Sequence, residues 1–233
     1  MFFRRTRPCR RAFPGAPVRA AFHGDGSRTI LLLETGVGPA AMDKSLSWLL
    51  SRPPVDGEPY RPSFVLSAGF SGAIVAGLNV GDLILATEVC DADGVCRPVT
   101  WPAGGSSFRR GRILTVPNLI GAPAEKRCLG ERSGAVAVDM ETAVVARLCG
   151  AAGVPFGCLR VISDDVDTQL SEGLLGVLRD GRVGPGRLAA AILRRPALVA
   201  ELMRLGAHTR TAARRLAVGL EELLASGSAV SHT

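Results

Sequence analysis

AVAVDMETAVVARLCGAAGVPFGCLRVISDD, residues 135–165, decides the fold. Ala135 to Val138 is short and apolar and is predicted as a strand. From Met140 to about Ala152, Met140, Ala143, Val144, Leu148 and Ala151 recur at helical spacing. Gly153-Val154-Pro155 stops that helix. Phe156 to Ile162 is a continuous apolar run, the pattern of a strand covered on both faces, and it ends at Ser163-Asp164-Asp165.

Outward from this unit the alternation repeats. Ile30 to Glu34 is predicted as a strand that ends in Thr35-Gly36-Val37-Gly38. Pro39 then opens a helix to about Leu50, because its fixed φ suits a first helical position. Phe64 to Ala68 is read as a second buried strand, ended by Gly69-Phe70-Ser71-Gly72. Leu83 to Val89 comes after the Gly81-Asp82 turn, and Asp91 to Arg112 is turn-rich. Ile113 to Val116 is a further strand, and Pro123 to Glu131 a helix. Val18 to Phe22 is also predicted as a strand, with a turn at Asp25-Gly26-Ser27. The class is α/β, a three-layer αβα with a mostly parallel central mixed sheet. Residues 1–17 read as a basic irregular arm. Residues 18–233 read as one domain whose C-terminal helices start at about 188 and divide near Pro196.

Composition narrows the function. Of 233 residues 47% are apolar, and the formal net charge is +7. Such a chain is expected to pack a core. Arginines dominate both ends, but no aromatics are interleaved with those of the tail, as a nucleic-acid stacking platform requires. No nucleic-acid partner is therefore expected. The six cysteines form no C-x-x-C pair and the three histidines are scattered. No metal site is expected, and the cysteines are expected reduced in a cytoplasmic protein without a signal peptide.

In an open α/β sheet, ligands bind beyond the carboxyl ends of the strands. Gly36-Val37-Gly38, Gly69-Phe70-Ser71-Gly72 and Ser163-Asp164 lie at such ends, and Asp139-Met140-Glu141 lies at a strand-to-helix junction. Singly these are turns and caps. Their order is more specific. Ala137 to Ala146 is similar to the valine–glutamate–methionine–glutamate helix start of the purine nucleoside phosphorylase and nucleosidase superfamily. Leu159 to Asp164 resembles its arginine–x–isoleucine–serine–aspartate strand end. Ser67 to Ala73, with Leu78 to Asp82 after it, resembles its glycine-rich loop and glycine–aspartate turn. Glu34 to Gly38 fits its earlier glycine turn.

The resemblance implies cleavage of the N-glycosidic bond of a purine nucleoside. Asp164 would protonate the purine N7. A free Asp has a pKa of about 3.9, so a dry pocket and the neighbouring Asp165 and Asp167 are expected to raise it. Glu141 would accept hydrogen bonds from the ribose hydroxyls, with Met140 beneath the sugar. Leu119, Ile120 and Ser163 would flank the base. Gly36, Gly38, Gly69, Phe70, Ser71 and Gly72 would form the phosphate or water site. No cofactor is implied, with inorganic phosphate as a co-substrate if the reaction is phosphorolytic. A homo-oligomer is implied as well.

Three departures matter. Asp139 stands where the family has glutamate. Phe70 stands where many members have serine or threonine. The chain joins the family pattern only at its second strand, so the start is cut, lies upstream, or has lost that element. Val177 to Arg182 and Leu193 to Pro196 look like the tail of hopanoid-associated phosphorylases. That likeness implies phosphorolysis, an adenine nucleoside with a lipid portion, and peripheral membrane contact. The alternatives are a hydrolytic nucleosidase acting on methylthioadenosine or adenosylhomocysteine, and a non-catalytic nucleoside-binding relative.

Overall fold

The computed structural model describes residues 20–24, 29–51, 62–101, 108–171, 173–175, 195 and 197–226. The basic arm, the turn at 25–27 and the tail segment 176–194 lie outside the described residues. The strands are β1 (Ala20–Gly24), β2 (Thr29–Leu33), β3 (Val65–Ala73), β4 (Leu83–Cys90), β5 (Cys96–Pro98), β6 (Arg109–Thr115), β7 (Ala137–Asp139) and β8 (Phe156–Asp164). The helices are α1 (Pro39–Leu50), α2 (Pro123–Ser133), α3 (Thr142–Ala152) and α4 (Ala197–Ser226).

β1 and β2 form an antiparallel pair. The other six strands form one mixed sheet in the order β5-β4-β6-β7-β3-β8, and β8 pairs back onto β4. Five strands therefore close into a ring, with β5 outside it on β4. Pairings β3–β8, β4–β6 and β6–β7 are parallel, and β3–β7, β4–β5 and β4–β8 antiparallel.

The layers are set by β8. Successive strand side chains point to opposite faces. Phe156, Cys158 and Ile162 pack with Leu46 and Leu49 of α1 and Val145, Ala146 and Cys149 of α3. Leu159 and Val161 pack with Leu83, Leu85 and Ala212, the last on α4. Both faces are apolar, which is why the sequence shows a continuous run rather than alternation. Burial pushes the Cys149 and Cys158 thiols up to about 11, so both stay protonated and act as small apolar groups.

Two expectations are corrected. Gly69-Phe70-Ser71-Gly72 does not end the strand: β3 runs on to Ala73, because β8 pairs with it through Gly72. The cysteines are not all reduced. Cys90 and Cys96, six apart, face each other across the β4–β5 hairpin and are joined by a disulfide. After Pro196 the tail is a single 30-residue helix; the segment that would hold the other expected helix is not among the described residues.

Candidate active site

β8 carries the first candidate. Ser71 of β3 pairs with Ile162, but the next residue, Gly72, pairs with Asp164. Ser163 is therefore an extra residue on β8, a bulge that re-aims the side chain after it. Asp164 turns toward β3, and a Cβ on Gly72 would lie 2.9 Å from its Oδ2. Only a glycine admits the carboxyl there. Ser163 Oγ lies 2.8 Å from Asp164 Oδ1 and 3.2 Å from the Ser71 carbonyl oxygen, and it can donate to either. Ser71 Oγ is buried without a hydrogen-bond partner among the described residues. Leaving such a hydroxyl unsatisfied costs about 1–3 kcal/mol.

Gly72 is also the reference for the second candidate. On its other side it pairs with Val138 of β7. Three residues beyond Val138 comes Glu141, at the N-cap of α3. Its Oε1 accepts a 2.6 Å hydrogen bond from the Gly38 N–H. Gly38 itself caps α1 with φ 94°, a left-handed value that favours glycine. Gly72 thus pairs on one side with Asp164 and on the other with the strand that leads to Glu141, and Glu141 is bonded to the Gly36-Val37-Gly38 turn.

Burial pushes the Glu141 carboxyl above its ordinary value, the Gly38 N–H opposes this, and Asp139 adds to it. A carboxyl raised in the folded state stabilises the fold fully below the ordinary range, and that contribution is lost as pH rises through the raised value. Glu141→Gln keeps an acceptor for Gly38 without the charge. Thermal melts at about pH 4 and pH 7 are expected to show the variant gaining on the wild type at the higher pH. An unchanged difference between the two would contradict this.

Beneath Glu141 lies a buried polar network. Arg160 Nε donates to Asp139 Oδ2 at 2.7 Å, and its Nη2 donates to Ser67 Oγ at 2.9 Å and to Thr142 Oγ1. Thr115 Oγ1 donates to Asp139 Oδ1 at 2.7 Å. The shorter acid at position 139 therefore keeps its charge contact.

Asp165 is held below the ordinary carboxylate range, chiefly by the Thr168 hydroxyl, and Asp167 pairs with Arg127 at the surface. The group on Asp164 is Lys126 of α2, fully buried, with Nζ 2.5 Å from Oδ2. Sequence reasoning missed it. Gly130 gave the available signal: it lies one turn on, packed against the Ile74 backbone, and marks the α2 face that meets the sheet.

Met140 is half-buried, Phe70 and Leu119 are exposed at 42% and 41%, and Ile120 packs on the Leu114–Val116 cluster rather than standing free. Among the described residues, Glu88, Cys90 and Cys96 form the one close metal-capable grouping. Both of its sulfurs are used in the disulfide, and Glu88 accepts from Arg112 at 2.9 Å. Among the described residues no helix is long and apolar enough to cross a membrane.

The sequence profile of the phosphorylase superfamily matches residues 6–105 and 103–194, and the chain belongs to that family. It is 23% identical over 198 residues to a 5′-methylthioadenosine/S-adenosylhomocysteine nucleosidase of Exiguobacterium, covering 73% of this chain and 82% of the relative. It is 30% identical over 165 residues to the nucleosidase of that name from Haemophilus ducreyi, covering 59% and 68%. Its fold is similar to the crystal structure of the Campylobacter jejuni nucleosidase, with TM-score 0.56, 22% identity, and 67% and 76% of the two chains covered.

Proposed function

We propose that this chain hydrolyses the N-glycosidic bond of a purine nucleoside, with an adenine nucleoside of the methylthioadenosine or adenosylhomocysteine type as substrate. The observation that supports the reading is the bulge at Ser163, which turns Asp164 onto Gly72, next in the chain to the buried Ser71, while Glu141 caps α3 beyond the strand on the other side of Gly72. Asp164 donates a proton to N7 as the bond to C1′ breaks, so the base leaves neutral. Glu141 accepts hydrogen bonds from the ribose hydroxyls, and its charge favours the cationic sugar of the transition state. Water adds to C1′ and releases the proton that restores the acid.

Hydrolysis replaces the lean toward phosphorolysis drawn from the tail. Those tail residues, Arg195 apart, lie outside the described ones, and the curated relatives carry nucleosidase names. Phe70 at the anion position favours water over phosphate as well, since it offers no side-chain donor. Adenine release from methylthioadenosine is expected to proceed at the same rate with and without inorganic phosphate, with free ribosyl product. A rate that requires phosphate, with a sugar 1-phosphate as product, would overturn the hydrolytic reading.

A further inference from the structure

The buried lysine is unused by the chemistry above. Lys126 is 0% exposed, yet α2 is otherwise a polar helix carrying Glu125, Arg127, Glu131 and Arg132. Its ammonium has three N–H groups and three acceptors: Asp164 Oδ2 at 2.5 Å, the Asp165 carbonyl at 2.8 Å and the Thr168 carbonyl at 3.3 Å. Two of these are backbone atoms of the turn after β8, so the charge stays fixed whether or not Asp164 moves. Every proton of the ammonium is engaged, and giving one up would break a buried hydrogen bond. Burying a lysine is costly unless its position is used or well paired.

We propose that Lys126 is the positioning residue for Asp164: it pins Oδ2 so that the acidic proton sits on Oδ1, and it stabilises the aspartate left when that proton goes to the base. This rests on the nucleoside-cleaving role of Asp164. The proton passes from Oδ1 to N7, the electron pair of the C1′–N9 bond goes to the base, and Lys126 keeps its own protons. Ser163 accommodates both states. Its single hydroxyl proton points to the Ser71 carbonyl while Oδ1 carries its proton, and swings to donate to Oδ1 once that proton has left.

The charged neighbours of the pair are few. On the turn, Asp165 is tied to Thr168, and Asp167 is tied to Arg127 of α2. β3 presents Ser71 and Gly72, which do not titrate.

The test is the pH–rate profile of the wild type against Lys126→Met, which removes the charge but keeps an unbranched apolar stem. The low-pH plateau of kcat is expected to fall about 10²-fold with KM within a factor of about three, and the basic limb to move up by about one pH unit or more. In an Asp164→Asn background the same change should add nothing. A lower plateau with the limb unmoved would make Lys126 merely structural and overturn the proposal. If the variant does not fold, the wild type still decides. The 15N signal of the Lys126 ammonium should shift with the midpoint of the activity limb, and a flat signal overturns the proposal. Wild type that cleaves while the limb or signal stays unmoved defeats this inference alone; wild type that cleaves no purine nucleoside defeats the parent reading and this inference together.

Discussion

Asparagine at position 164 is expected to lower kcat for purine nucleoside cleavage about 10²–10⁴-fold, the usual contribution of a positioned general acid. The amide oxygen still accepts from Lys126, so the ammonium is not left without its third partner, and the bulge at Ser163 and the glycine opposite it are untouched. The chain should therefore fold and still bind nucleoside, and the loss should appear in kcat rather than in KM. Steady-state rates with a parallel unfolding curve separate the effects. A rate within about threefold of wild type, in a folded variant, would remove Asp164 from the proton path.

Removing the acid at 139 should have the largest effect on stability. Asp139 is 5% exposed and Arg160 3% exposed, and they are joined at 2.7 Å in the core. Asp139→Ala leaves the guanidinium buried with only hydroxyl partners, Ser67 and Thr142. Breaking a buried pair on one side costs about 3–5 kcal/mol, a large share of the roughly 5–15 kcal/mol typical of a domain. Urea unfolding should show the midpoint fall sharply. A loss below about 1 kcal/mol would mean that the network is wetter, and its charges better screened, than its burial indicates.

Both acids were legible in the sequence. The β7–α3–β8 unit was readable because its chemistry is local. Apolar runs bounded by Gly153-Val154-Pro155 leave little choice, and Asp139, Glu141 and Asp164 sit where strand ends must put them. The glycine segment 69–72 misled. Four residues with two glycines read as a turn, but pairing with β8 holds them in a strand, and the glycine at 72 is there for the approach of the Asp164 carboxyl. Nothing local reports that approach.

Lys126 was illegible for the same reason in reverse. Glu125-Lys126-Arg127 carries no local mark of burial, and the tertiary placement of α2 on Ile74 turns the middle charge inward. The Cys90–Cys96 bond came from hairpin register rather than from spacing. Closure of the sheet through β4 and β8 likewise rests on pairing between distant segments, which periodicity does not encode.

A crystal structure with a methylthioadenosine analogue whose base is joined to the sugar by a carbon–carbon bond tests the shared site most directly. Asp164 should lie within hydrogen-bond distance of the N7 position, Glu141 should engage the sugar hydroxyls, and Ser71 Oγ should meet a ligand or water oxygen. An analogue bound away from these three residues, or one reaching Glu141 while Asp164 stays turned from the base, would contradict the account.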